Sequence, residues 1–320
     1  MHHYLIRRLL MMIPTLFIIS IIVFLMISLI PGDVIDSMMQ QGFARRAGGG
    51  LDREALERAL GLDVPMYVQY GRWIGDIFLH GSLGDSLRTG EPVVTTILGK
   101  VATTVELGLM AIVISVMMAL PIGIYSAIRQ DTVGDYTGRS IAIIFIAVPS
   151  FRIATMIMLY PSILWGWSPP VPLIPFREDP LGNLGQFFIP SFILGMAMAG
   201  MTMRMTRTMM LEVLRQDYIR TAWSKGLKER LVVRRHALKN ALIPVVTIVG
   251  AELPVLVGGA IIFEQIFALP GIGRLLLVSL SDRDYTLVSG VNLVIASGVV
   301  VANLLVDISY AYLDPRVRYR

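Results

Sequence analysis

The feature that most constrains this chain is a series of apolar stretches long enough to cross a bilayer. Leu9–Ile30 carries no charged residue and exceeds the roughly 20 residues that a helix needs to span the hydrocarbon core. Five more stretches follow: Leu107–Ile128, Ile141–Trp165, Phe187–Met203, Ala241–Phe267 and Leu287–Val306. In lipid the backbone must satisfy its own hydrogen bonds, so such runs are read as helices. Pro121 and Pro149 interrupt two of them, which packed neighbours in a bundle can accommodate. Composition agrees, with 16 % charged residues and a mean hydropathy of +0.68, where a soluble domain carries about a quarter charged residues. An ordinary water-soluble domain and a disordered chain are thereby excluded. The expected fold is an all-α integral membrane protein with six transmembrane helices. A signal peptide competes for the first run, but its length and the poor cleavage sequence Pro31-Gly32-Asp33 favour a retained anchor.

Charge sets the expected orientation. Ten basic and three acidic residues lie between Arg204 and Lys239, so that segment is +7 in a chain of +5. A basic segment between apolar spans is what the positive-inside bias places in the cytoplasm, and no nucleic-acid-binding signature accompanies it. Segments 1–8, 129–139, 204–240 and 312–320 are then inside, and 31–100, 166–186 and 268–286 outside. Both termini are expected to be cytoplasmic. Within the long outer segment, 42–50 is glycine-rich, and 52–61 reads as a short helix capped by Asp52 and Gly61. Tyr67, Tyr70, Trp73, Ile74, Ile77 and Phe78 then recur at helical spacing. They suit a lid on the outer ends of the spans, a docking surface for an external partner, or both.

Catalytic signatures are missing. Gly99-Lys100 is followed by Val101 and lacks the upstream glycine of a phosphate-binding loop. There is no cysteine, and the histidines (His2, His3, His80 and His236) are scattered and lie outside the apolar stretches. No catalytic residue, metal site or cofactor is therefore expected on this chain. Ionisable residues in or near the spans are Glu106, Arg152, Glu252, Glu264 and Asp307. Such groups are costly in lipid and face a bundle interior or a watery path. Glu106, Glu264 and Asp307 are near span ends, which fits helix pairing or the headgroup zone. Arg152 and Glu252 sit deeper and are candidates for lining a translocation path. Met196, Met198, Met201, Met203, Met205, Met209 and Met210 cluster. Alternation places them on different helix faces, so adaptable packing explains them better than a metal path.

The basic segment has its own order. Leu211, Leu214, Tyr218, Ala222 and Trp223 follow a helical spacing, Gly226 can end that helix, and Leu227, Leu231, Val232 and Leu238 begin another. A rigid lever projecting below the membrane is expected, with Ala222 and Gly226 small enough to admit a partner.

These residues carry a resemblance. Asp217-Tyr218-Ile219-Arg220-Thr221-Ala222, Lys225-Gly226-Leu227 and Arg235-His236-Ala237-Leu238-Lys239-Asn240-Ala241-Leu242-Ile243-Pro244 are similar to the loop of permease subunits in bacterial and archaeal ABC importers for dipeptides, oligopeptides and nickel. Pro31-Gly32-Asp33, Gly81-Ser82-Leu83-Gly84-Asp85-Ser86, Thr103-Thr104-Val105-Glu106-Leu107, Phe263-Glu264 with Pro270-Gly271-Ile272-Gly273-Arg274, and Asp314-Pro315-Arg316 resemble that family in order and spacing. Arg152 departs from it, since a large aromatic or aliphatic residue is usual there.

The resemblance implies a type I ABC importer permease in the plasma (inner) membrane. Its expected organisation is an N-terminal segment and first helix at 1–30, an extracytoplasmic segment at 31–98, a five-helix transmembrane domain at 99–313 with a coupling loop at about 211–240, and a tail at 314–320. It also implies a second homologous permease, two cytoplasmic ABC ATPase subunits that bind ATP and Mg, and an external substrate-binding protein. The implied coupling residues are Asp217, Tyr218, Arg220, Thr221, Ala222, Lys225, Gly226, Leu227 and His236. The competing reading is a self-contained, ion-driven secondary transporter or channel working through Glu252 or Arg152. Such folds often carry inverted repeats, and no convincing repeat is evident here.

Overall fold

The computed structural model describes residues 2–28, 63–170 and 172–313. The short helix expected at 52–61, the glycine-rich 42–50, Pro31-Gly32-Asp33 and the tail 314–320 lie outside the described residues. The described helices are α1 (His2–Ser28), α2 (Met66–His80), α3 (Val93–Ile128), α4 (Val133–Ala147), α5 (Ser150–Trp165), α6 (Pro180–Leu214), α7 (Asp217–Ser224), α8 (Glu229–Leu231), a π-helical turn (Val232–Ala237), α9 (Leu238–Ala251), α10 (Leu253–Ile266), α11 (Ile272–Ser281) and α12 (Tyr285–Leu313). Among the described residues there is no strand, only an isolated antiparallel bridge between Asp85 and Pro92.

Helices α1, α3, α6 and α12 contain stretches long and apolar enough to cross a membrane. The third expected span is not one straight helix: α4 and α5 are bent by 83°. Pro149 is the cause, because the residue before a proline is pushed out of the helical region, and Val148 sits at φ −89° and ψ 120°. The fifth expected span is likewise divided, into α9 and α10 of 14 residues each, meeting at Glu252. Pro254 stands at the start of α10, where its missing N–H costs nothing.

Several helices run past their apolar stretches. α6 continues through Arg204 and Arg207 to Leu214, and α4 begins at Val133. The expected outer segments 166–186 and 268–286 contain the start of α6 and all of α11. Hydropathy marks where a helix meets lipid, whereas the backbone ladder continues until something breaks it. At the start of α6 the Asp179 side chain accepts from the Gly182 N–H at 2.9 Å, an N-cap.

The chain divides into two compact units. The first contains 103–273 and 301–320, and α6 is its central element, packed on α4, α5 and α9. Close approach depends on glycine. A Cβ on Gly195 would fall 2.6 Å from the Ala111 carbonyl oxygen, and one on Gly200 2.8 Å from that of Ala142. Small residues let backbones touch where lipid supplies no hydrophobic drive between helices. Leu107, Ala111, Ala154, Phe187, Ile193 and Phe263 form a buried apolar cluster beside these crossings. The loop before α6 is pinned by Gln186, whose Nε2 donates to the carbonyls of Pro170 at 2.7 Å and Pro172 at 2.9 Å.

The second unit contains 7–102 and 274–300. Helix α2 lies on α1 through the aromatic positions read from the sequence. Ser20 and Tyr70 share a 2.8 Å hydrogen bond, and the Phe24 ring stands 5.5 Å from Tyr70 and 6.0 Å from Trp73. Tyr67 and Phe78 are exposed. Asp284 caps α12 by accepting from the Leu287 N–H at 3.1 Å, and it also receives the Ser86 hydroxyl at 2.5 Å and the Leu87 N–H at 3.2 Å. One carboxylate thus holds both a helix start and the 84–92 turn.

Candidate coupling surface and path residues

The lever is built in three pieces. α6 ends at Leu214, and Gln216 at ψ 149° turns the chain before α7 begins. The single helix expected over 211–223 is therefore broken at Arg215-Gln216, and Leu211 and Leu214 belong to the last turn of α6. α7 is strongly two-faced. Ile219 and Ala222 are buried in a cluster with Ala127 of α3, Met210 of α6, Val232, Val233 and Ala237 of the π turn, and Ala241 of α9. Asp217, Tyr218, Arg220, Thr221, Trp223 and Lys225 are exposed. Ala222 is small for the packing beneath α7, and it does not face outward.

Gly226 adopts φ +74°, which favours glycine because an L side chain crowds the following carbonyl there. Its N–H closes the end of α7 on the Trp223 carbonyl at 2.9 Å, and it is exposed. Leu227 is half-buried against the cluster. The wider π turn lets Val232, Val233 and Ala237 all face inward, while Arg234 and Arg235 face out. His236 is half-buried. The Tyr218 hydroxyl accepts from Asn240 Nδ2 at 2.9 Å, which ties α7 to α9. Lys228, Arg230, Leu231, Arg234 and Arg235 line an open basic hollow of about 610 Å³.

Beside this cluster lies a group that sequence reasoning missed. Arg207 of α6 forks onto Asp135 of α4, with Nε to Oδ1 and Nη2 to Oδ2 both at 2.7 Å. Asp135 is fully buried and also receives the Ser126 hydroxyl and, at 3.0 Å, the Asp131 N–H. Reading 129–139 and 204–240 as loops hid the pair, because each charge then counted only as a topology marker.

Of the residues near span ends, Glu264 is fully buried and receives the Thr104 hydroxyl at 2.5 Å. Thr104 Oγ1 in turn accepts from the Ile272 N–H at 2.9 Å. Arg152 is exposed on the first turn of α5, and among the described residues no carboxylate forms an ion pair with it. Glu252 is half-buried at the α9–α10 junction, and its Oε2 has no hydrogen-bond partner among the described residues. Met198, Met203 and Met210 are buried while Met201 is exposed, a distribution of packing residues around α6. Among the described residues no three His, Asp or Glu side chains gather as a metal site.

Comparison with known proteins gives the class. Residues 119–319 match the family model of binding-protein-dependent transport system inner membrane components, and residues 1–108 match the model of that family's N-terminal region. The chain belongs to this family of transport permeases, which are not enzymes. It is 38 % identical to the oligopeptide transport system permease protein AppB of Bacillus subtilis over 320 residues, covering 99 % of each chain. It is 37 % identical to the dipeptide transport system permease protein DppB of Alkalihalophilus pseudofirmus, again over 99 % of each. The crystal structure of an amino acid ABC transporter shares the fold with a TM-score of 0.54 at 13 % identity, over 68 % of this chain and 94 % of that one. Family membership supports the transport-system permease over a self-contained ion-driven transporter.

Proposed function

We propose that this chain is one permease of a type I ABC importer for di- or oligopeptides. In this reading it spans the membrane six times, α4–α5 and α9–α10 each serving as one broken span, with both termini in the cytoplasm. Segment 31–98 is extracytoplasmic, 99–313 is the five-helix translocation domain, and 314–320 is a cytoplasmic tail. A second homologous permease completes the path. Two cytoplasmic ATPases carry ATP and Mg, and a binding protein delivers cargo from outside. Support for the cargo class comes from the two relatives named for oligopeptide and dipeptide transport.

The observation that carries the coupling role is the two-faced α7. Asp217, Tyr218, Arg220, Thr221, Lys225 and Gly226 are presented outward, while Ile219 and Ala222 anchor the helix in a core shared with α3, α6 and α9. Leu227 packs against that core, and His236 stands half-buried in the π turn. A ligand can shift a conformational equilibrium only by binding its two states differently, and ATP-driven closure of the partner ATPases supplies that difference through α7. Arg152 and Glu252, each at a helix break, line the path.

The chain has no cysteine, so Thr221→Cys gives a unique attachment point. In the assembled transporter, a short cross-linker with one thiol-reactive and one amine-reactive end is expected to join residue 221 to surface lysines of an ATPase subunit, with a yield that changes on ATP binding. Labelling of the same thiol by a membrane-impermeant reagent applied from outside intact cells would refute the orientation. Absence of any adduct to a nucleotide-hydrolysing subunit would refute the coupling role.

A further inference from the structure

Helix α5 carries two ridges at helical spacing, the second of them half-buried against the core at Ile153 and Ile157. Arg152, Met156 and Tyr160 form one, and Ile153, Ile157 and Trp165 lie along the other. Together with Val148 at the bend they line an open furrow of about 440 Å³ that is almost wholly apolar. That volume falls within the range of small-molecule sites. Arg152 supplies its cation. In the six-span reading proposed above it lies near the middle of the bent pair Val133–Ala147 and Ser150–Trp165, where a charged side chain faces a bundle interior or a watery path and pairs with an opposite charge. No carboxylate among the described residues does so. Its place on the first turn of α5 adds the positive end of the helix to its own charge. Among the described residues the site is thus short of one anion, and it is lined with apolar and aromatic surface.

We propose that Arg152 is a specificity residue that binds the terminal carboxylate of the cargo while an apolar side chain of the cargo lies along Met156, Tyr160 and Trp165. This rests on the peptide-import reading and narrows it to solutes with a free carboxylate next to apolar groups. A guanidinium suits that task because its planar fork pairs with carboxylate in two parallel hydrogen bonds.

The test uses the assembled transporter in liposomes, with the tripeptide Ala-Ala-Phe and its C-terminal amide as probes. Wild type is expected to take up the free acid in preference to the amide. Arg152→Gln is expected to lower uptake of the acid about tenfold to a hundredfold, the equivalent of one charge-assisted hydrogen bond, and to lower uptake of the amide far less. Arg152→Lys is expected to restore part of the preference. Equal loss for both probes, with poor recovery of the complex, would assign Arg152 to a carboxylate of the partner permease and overturn the proposal. Equal loss only in liposomes containing phosphatidylglycerol would assign it to lipid headgroups and overturn it too. Unchanged uptake of both probes by Arg152→Gln overturns the proposal and leaves peptide import standing, whereas failure of wild type to take up either probe overturns both.

Discussion

Replacing Asp135 by asparagine tests whether the inner packing of α4 and α6 rests on a buried charge pair. The carboxylate accepts two 2.7 Å bonds from Arg207 and a 3.0 Å bond from the Asp131 N–H, in addition to the Ser126 hydroxyl. Asp135→Asn removes the charge, and one amide oxygen cannot replace two carboxylate oxygens on the fork. Arg207 is left with its side chain 20 % exposed, too little to be rehydrated in place. Losing one partner of a buried pair costs about 3–5 kcal/mol, and the partial exposure of Arg207 argues for the lower end. A loss of about 3 kcal/mol is more than a hundredfold in the local opening equilibrium. Arg207→Lys keeps the charge but only one of the two parallel bonds, so a smaller loss of about 1–2 kcal/mol is expected. Replacing both partners by apolar residues, as in Asp135→Leu with Arg207→Met, should recover most of the loss, because neither charge then remains buried alone. The assay is thermal unfolding of the purified complex, with protease cleavage at the 129–132 turn as a local readout. An Asp135→Asn protein as stable as wild type, or a double variant no better than Asp135→Asn, would refute the reasoning.

Two further outcomes follow from particular glycines. In Gly226→Val the added Cβ meets nothing within 4 Å but the residue must hold φ +74°, a strain of about 1–2 kcal/mol; it should insert and assemble normally while ATP hydrolysis no longer drives uptake, and Gly226→Asn should be milder, which uptake per ATP hydrolysed will show. Gly195→Ala places a methyl group 2.6 Å from a backbone oxygen that cannot swing away and should cost about 1–3 kcal/mol, read as a lower unfolding temperature, whereas Gly185→Ala, with nothing within 4 Å, should not lower it.

Much of the fold was legible because lipid imposes a simple demand on sequence. A run such as Leu9–Ile30 has few stable alternatives to a helix, and α1, α3, α6 and α12 lie where the hydropathy placed spans. The aromatic spacing from Tyr67 to Phe78 became α2, with Tyr70 and Trp73 on α1. Within the lever, the apolar period found the buried positions Ala222 and Val232. What escaped was whatever depends on partners far apart in the chain. Asp135 and Arg207 are 72 positions apart, and Ser86 and Asp284 are 198 apart. Nothing local distinguishes such an acid from one in solvent. The π turn at Val232–Ala237 was also unreadable, since three inward residues spaced for a wider helix mimic an ordinary apolar patch.

These long-range pairs bear on how the lever works. A helix hung on a flexible loop would absorb any push by bending at its ends. α7 is held differently: Ile219 and Ala222 share one core with the ends of α3, α6 and α9, and Tyr218 is bonded to Asn240. α6 is then locked to α4 through Arg207 and Asp135. Between Arg204 and Ala251 only Gly226 among the described residues has a positive φ, and it lies beyond α7, not between α7 and α6. Displacing α7 alone would open the Ile219 pocket and expose its apolar lining, at about 25 cal/mol for each square ångström. In the coupling role proposed for α7, the less costly response is for α7 and the attached helix ends to move together, so force applied at Tyr218 or Arg220 is delivered to α6 and α9. On that account the 83° break at Val148–Pro149 is where the bundle bends, and Arg152, which makes no ion pair among the described residues, stands beside it.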